Sequence, residues 1–164
     1  MKRTSFEDRE CPLSTTLDVV GEWWTILILH DLFDGYTRFD QFEENLKISS
    51  GILTRRLKTL VGNGLIERRQ YQMRPPRDEY LLTDRGRSLR PVIVALAAWG
   101  NNQRSADKRS MILVDVESGV EADPVIVDRV SGRRVDGDDF KFAAGPGASE
   151  AFRTRYGANS DERE

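Results

Sequence analysis

The sequence predicts a mainly α-helical fold with a small β component. Apolar residues recur at helical spacing in successive stretches as far as Trp99, whereas two strand-like segments flank Pro75-Pro76 and a Ser-Gly turn signal recurs beyond Arg104. With 164 residues, 38% of them hydrophobic, the chain can bury one core of ordinary size and carry a small appendage.

Thr15 to Val20 and Glu22 to Phe33 read as two helices separated by Gly21. The second is apolar on nearly every side (Trp23, Trp24, Ile26, Leu27, Ile28, Leu29, Leu32, Phe33), the pattern of a buried helix, and Gly35 stops it. Arg38 to Leu46 makes a short third helix, with Phe39, Phe42 and Leu46 on one face. Ile48-Ser49 opens a fourth, in which the Ser49 hydroxyl is expected to cap the first turn. Ile52, Leu53, Leu57 and Leu60 form its apolar stripe, which leaves Ser50, Gly51, Thr54, Arg55 and Lys58 outside. Gly62-Asn63-Gly64 ends it. Leu65 to Tyr71 and Asp78 to Thr83 suit two antiparallel strands, and Gln72 to Arg77 suits the connecting loop, keeping both prolines out of the ladder. Thr83 is placed to cap a last long helix whose Leu89, Val92, Ile93, Leu96, Ala97 and Trp99 make a broad apolar face suited to a partner chain.

Helix, helix, turn, helix, two-stranded loop, helix is the order of a winged helix-turn-helix domain, in which the helix after the turn enters the major groove of DNA and the β-loop lies along the backbone or minor groove. Charge follows that division. From Lys47 to Arg77 the basic residues are Lys47, Arg55, Arg56, Lys58, Arg68, Arg69, Arg74 and Arg77 and the single acid is Glu67, in a chain of formal net charge -2. A basic segment so concentrated is the electrostatic footprint of a nucleic-acid site. Arg55 and Lys58, with Ser50 and Thr54, are candidates for bases or phosphates, and Arg74 and Arg77 at the loop tip for phosphate or the minor groove. Arg56 is the weakest of the three helix cations, because its angle turns it toward the buried stripe. The bland alternative for all of them is a solvated helix face.

Cys11-Pro12, Gly21-Glu22-x-Trp24-Thr25-x-Leu27-x-Leu29, Arg38-Phe39, Ile48-Ser49, Leu53-Thr54-x-x-Leu57, Gly64-Leu65-Ile66-x-Arg68, Pro75-Pro76-x-x-Glu79-Tyr80-x-Leu82-Thr83-x-x-Gly86 and Trp99-Gly100 together resemble the HxlR-type family of bacterial winged-helix transcriptional regulators. The match runs from about Cys11 to Gly100. The resemblance implies a MarR-like fold, homodimers joined largely by the terminal helices, and double-stranded DNA, a palindromic operator, as the partner. Carried onto this chain, it implies a DNA-binding set of Arg38, Ser49, Ser50, Gly51, Thr54, Arg55, Lys58, Arg68, Arg74 and Arg77. Gly51 departs from the pattern, since relatives generally carry a longer polar side chain there; it either gives no base contact or lets the helix approach the groove wall closely. Some members sense oxidants through a cysteine ahead of the first helix, which makes Cys11 a candidate redox switch, against the alternative of a small buried residue near the dimer contact. Trp23, Trp24 and Trp99 are candidates for an effector pocket or the dimer contact, against a plain core role.

Other classes find less support. No GxSxG, HExxH, P-loop or dinucleotide fingerprint occurs, and one histidine (His30) with one cysteine leaves little catalytic machinery, so no enzyme, metal or cofactor is expected. The remaining alternative is a winged-helix module that binds a protein without specific DNA recognition. A single cysteine and the lack of a long apolar run point to a cytoplasmic protein without a membrane segment.

Residues 1–104 are thus expected to form the DNA-binding and dimerisation domain, 105–156 a small β-hairpin extension and 157–164 a disordered tail. In the extension, Leu113-Val114-Asp115-Val116-Glu117-Ser118-Gly119 recurs as Ile126-Val127-Asp128-Arg129-Val130-Ser131-Gly132, each copy a strand entering a Ser-Gly turn. Paired knuckles of this kind resemble zinc ribbons but lack the cysteines, so the expected support is packing of Phe140 and Phe142 on the main domain or on a partner chain.

Overall fold

A computed structural model of the chain describes residues 10–157. Cys11 is extended and Pro12 opens helix α1 (Pro12–Val20), a position where its missing amide removes nothing the helix uses. Helix α2 (Trp23–Phe33) buries Thr25, Ile28, Leu29, Asp31 and Leu32, but its burial is one-sided: Trp23 is 84% exposed and Leu27 is exposed too. The expectation of an all-round buried helix is therefore corrected, since this chain alone supplies only part of the cover. Helix α3 (Phe39–Leu46) begins where Gln41 Oε1 accepts from the amides of Thr37 and Arg38, each at 3.0 Å.

Lys47, in the left-handed region with φ 51°, makes the tight corner from α3 into helix α4 (Ser50–Gly62). Ser49 stands at the N-cap with no side-chain cap bond, so the expected hydroxyl cap is not made and the first-turn amides of α4 are left to outside partners. Leu53, Leu57 and Leu60 of α4 meet Ile28 and Leu29 of α2, Phe42 of α3, and Ile48, Leu65 and Ile66 in the core.

Strands β1 (Ile66–Met73) and β2 (Pro76–Leu82) pair antiparallel, with Met73 opposite Pro76 and a bulge at Tyr71 between Gln70 and Gln72. The hairpin is longer than expected and its turn shrinks to Arg74 and Pro75, joined by a cis peptide. Two expectations are corrected: Pro76 lies in the ladder, at its first residue, where the missing amide is tolerated, and Arg77 belongs to β2 opposite Gln72 rather than to the loop. Thr37 and Arg38 add a short rung to β2, the Tyr80 amide donating to the Thr37 carbonyl at 2.7 Å and Arg38 bridging Glu79.

Thr83 does cap a helix, accepting from the Gly86 amide at 3.1 Å, but that helix is the single-turn α5 (Asp84–Arg87). A separate α6 (Arg90–Asn102) follows, so the expected long helix is broken. Pro91 explains the break, because it has no amide for the Arg87 carbonyl and its ring would collide with that turn. Gly86 sits where an added Cβ would lie 2.1 Å from the Leu65 carbonyl oxygen. The Thr83 hydroxyl donates to the Gly64 carbonyl at 2.7 Å, so α5 is clasped to the start of β1.

Beyond a 3-10 turn at Ala106–Lys108 the chain runs as an arm to helix α7 (Glu150–Gly157), which the sequence pattern does not suggest. The two repeat copies form matching turns. Asp115 accepts from the Ser118 amide and hydroxyl, both at 2.8 Å, and Asp128 does the same with Ser131 at 2.9 and 2.6 Å. Each turn is closed by one isolated bridge, Val114 with Glu121 and Val127 with Arg134, so the expected hairpins are reduced to minimal ones. Phe140 lies under the Arg133 guanidinium and Phe142 is 89% exposed, so within the chain Phe142 does not pack on the main domain. The Ser149 amide and hydroxyl both donate to Glu10, tying the end of the arm to the entry of α1. Apart from Gly157, which closes α7, the expected disordered tail lies outside the described residues.

Candidate nucleic-acid interface

The outer face of α4 follows from its stripe: with Leu53, Leu57 and Leu60 inward, Ser50, Gly51, Thr54, Arg55 and Lys58 are all exposed. Gly51 meets no atom within 4 Å of where a Cβ would stand, so nothing inside the chain requires a glycine there. Ser49 and Ser50 stand beside the uncapped amides, an arrangement ready for an anion such as a phosphate.

Ion pairing divides the basic residues of the segment into two groups. Arg56 lies against Glu22 at 3.1 Å with its side chain only 14% exposed, so it joins α4 to the start of α2. Arg68 is paired with Asp78, which raises its pKa, and Arg69 Nη2 stands 2.8 Å from Glu79, directly opposite in the ladder. Lys47, Arg55, Lys58, Arg74 and Arg77 are exposed and have no acidic partner among the described residues. Surface pairs such as those of Arg68 and Arg69 contribute little to stability, ~0–1 kcal/mol each, but they occupy the two guanidinium groups nearest the middle of the wing.

Arg38 lies outside the basic segment in sequence and joins it in space. Its guanidinium rests over the Tyr71 ring, 4.8 Å from the centroid, on the side chain that the bulge turns out of the ladder. Arg74 occupies the wing tip, next to the exposed Met73.

Cys11 stands at the N-cap of α1, half-buried. Hydrogen bonds from the backbone at Ser14, then Leu13, hold its thiol below the usual cysteine range, with a smaller contribution from the Arg155 charge and opposition from burial. Trp23 and Trp99 are exposed, Trp99 by 69%, whereas Trp24 packs against the core. None of the three tryptophans lines the cavity bounded by α2, α6 and the arm.

Fold and basic face together define a winged helix-turn-helix transcriptional regulator. The chain belongs to the HxlR-like helix-turn-helix family, whose model matches residues 19–108. It is 41% identical over 95 residues to the uncharacterized HTH-type transcriptional regulator YdeP of Bacillus subtilis, covering 57% of this chain and 74% of that one. Among solved structures, PA1374 from Pseudomonas aeruginosa is 41% identical with a TM-score of 0.65, covering 88% of this chain and 99% of its own, so the likeness reaches into the arm. The redox regulator HypR in its oxidized form is 35% identical with a TM-score of 0.54, covering 58% of this chain and all (100%) of its own.

Sequence reasoning missed the roles of Glu22, Asp78 and Glu79 as partners of the basic segment. A signal for two of them was present: Arg68-Arg69 and Asp78-Glu79 flank one hairpin, and the ladder register sets Arg69 opposite Glu79. Glu22 has no comparable signal, because its meeting with Arg56 depends on how α2 crosses α4.

Proposed function

We propose that this chain is a sequence-specific DNA-binding repressor that acts in the cytoplasm as a homodimer on a palindromic operator. Helix α4 enters the major groove with Thr54, Arg55 and Lys58, and the wing lies on the backbone or minor groove with Arg74 and Arg77. The observation that carries this reading is the set of exposed cations on these two elements that have no acidic partner among the described residues. Support for a dimer comes from the exposed apolar side chains of α1, α2 and α6, among them Leu13, Trp23, Leu96 and Trp99, which a lone chain leaves in water. Half-sites then lie about one helical turn, ~34 Å, apart.

Fluorescence anisotropy of a labelled duplex from upstream of the protein's own gene, titrated at several salt concentrations beside a scrambled duplex, tests the proposal. Tight, selective and salt-sensitive binding is expected. Absence of binding to either duplex at low salt would favour the protein-interaction module instead. Arg55→Ala is expected to lower the ratio of operator to scrambled affinity, and an unaltered ratio would remove Arg55 from the base-reading set.

A second reading concerns Cys11. Its depressed thiol pKa and partial exposure favour a redox-sensitive thiol, as does the likeness to the redox regulator HypR. With Cys11 the sole cysteine of the sequence, oxidation to a disulfide must join two chains or capture a small thiol. DNA binding unchanged by diamide would sink this reading.

A further inference from the structure

A cavity of about 590 Å³ between α2, α6 and the arm falls within the range of small-molecule sites, roughly 300–1,000 Å³. Its floor is the end of α2 and one face of α6. Phe33, Ile93, Val94, Ala97 and Ala98 line it, and the two alanines leave the slot open where larger side chains would fill it. The first knuckle of the arm forms the roof, with Met111 to Leu113 on one side and Glu121 to Pro124 on the other. Asn101 Nδ2 donates to the Met111 carbonyl at 2.8 Å and fixes that roof to α6. The face of α6 that carries the exposed Val92, Leu96 and Trp99 does not line the space.

The charges around the slot are unequally matched. Asp34 stands 3.5 Å from His30 Nδ1 and Glu121 stands 3.0 Å from Arg109 Nη1, whereas Asp123, on the roof, forms no ion pair among the described residues, since the nearby Arg134 is bound to Asp136. Arg90 is exposed, has no acidic partner among the described residues, and holds its guanidinium carbon 5.6 Å from the Phe33 ring centroid. A guanidinium stacked on an aromatic face keeps its N–H edge available for two oxygens of a carboxylate or of a tetrahedral oxyanion. We infer that this slot binds an aromatic carboxylate or sulfonate, with its ring on the floor of Phe33, Ile93 and Ala97 and its anionic group on Arg90. Such a site is separate from the DNA-binding face and depends on the arm for its roof.

Anilinonaphthalene sulfonate, an aromatic anion that fluoresces when shielded from water, is the probe, titrated into the full-length protein without DNA. Saturable binding of about one dye per chain is expected. Arg90→Gln should weaken it about tenfold, the scale of a lost hydrogen bond to a charged group, and Ala97→Phe should abolish it by filling the slot. Because Ala97→Phe can disturb packing, Ala98→Leu is a second, smaller filling variant, and circular dichroism verifies both folds. Val116→Ser, on an exposed arm residue that does not line the slot, should leave dye binding unchanged. Absence of dye binding by the wild type would mean that the slot is occupied by other protein surface, and would overturn the assignment. Wild-type affinity in both folded filling variants, or in Arg90→Gln, would overturn it too. Because the readout needs no DNA, its failure is distinct from failure of the operator-binding reading.

Discussion

Replacing Arg77 by alanine removes an exposed cation that has no acidic partner among the described residues, on β2 directly across from Gln72 and next to the bulge at Tyr71. Each phosphate contact contributes ~0.9 to the slope of log K against log salt on duplex DNA. A homodimer carries Arg77 twice, so the variant's slope should be shallower by ~1.8, and across a fourfold rise in salt it should lose ~12-fold less affinity than the wild type. Operator and scrambled duplexes should weaken together, because a phosphate contact carries no base identity. The companion variant Asp78→Asn works in reverse. It releases Arg68 from its pair, and should steepen the slope while changing stability by no more than ~1 kcal/mol. Anisotropy titrations at four or more salt concentrations measure both slopes. A folded Arg77→Ala protein with the wild-type slope would refute the assignment of Arg77 to phosphate. An unchanged slope in Asp78→Asn, with a wild-type slope no larger than the unpaired cations account for, would refute the idea that internal pairing decides which wing cations are available.

Gly86→Ala should lower the urea midpoint by an amount equivalent to roughly 2 kcal/mol or more, because its Cβ would fall 2.1 Å from a backbone carbonyl that the Thr83 clasp holds in place; a wild-type midpoint would show that the clasp yields freely. Leu96→Glu puts a charge on the exposed apolar face of α6 and should shift sedimentation toward monomer, with loss of operator affinity; an unshifted assembly would remove that face from the dimer contact. Asp31 is buried between α2 and α3, with one oxygen accepting from Asn45 at 2.9 Å and the other without a partner, and burial pushes its carboxyl pKa up. Its protonated form is favoured in the folded state, so its contribution to stability is complete below the ordinary aspartate pKa, ~3.9, and is lost as pH rises through the raised value. Asp31→Asn should abolish this component, seen as a wild-type-minus-variant stability difference that falls with rising pH above ~4; a difference independent of pH would show that Asp31 does not titrate differently on folding.

Most of the fold was legible because its elements are specified locally. The apolar stripes of α3 and α4, the Gly62-Asn63-Gly64 stop and the β-suited segments either side of the prolines all act within a few residues, and each element formed close to its expected place. The departures have longer-range or subtler causes. Pro91 breaks the last helix because its effect falls on the carbonyl four residues earlier, in a stretch whose apolar periodicity runs straight through. Trp23 on α2 is exposed although the helix is apolar on nearly every side, because periodicity does not say how many of those sides the chain's other elements cover. Helix α7 has a weak apolar face, with no residue buried, and so gives periodicity little to detect.

The basic segment was legible as a count of charges but not as an arrangement of available ones. Net charge is a property of composition, whereas a cation's capacity to meet phosphate depends on what already satisfies it. In this chain Glu22, Asp78 and Glu79 engage Arg56, Arg68 and Arg69. The pairs do not act alike. Arg56 is largely shielded and its bond to Glu22 spans two helices, so it bears on how α4 is held against α2. Arg68 and Arg69 are exposed, and their partners sit across one hairpin, so exchanging Asp78 and Glu79 for another anion costs little. If the proposed contacts are made, the wing gains cations on meeting DNA, while Arg55 and Lys58 of α4 have no acidic partner among the described residues to give up. A salt slope that exceeds the number of unpaired cations would be the signature of that exchange, and Asp78→Asn would then bring it forward into the free protein.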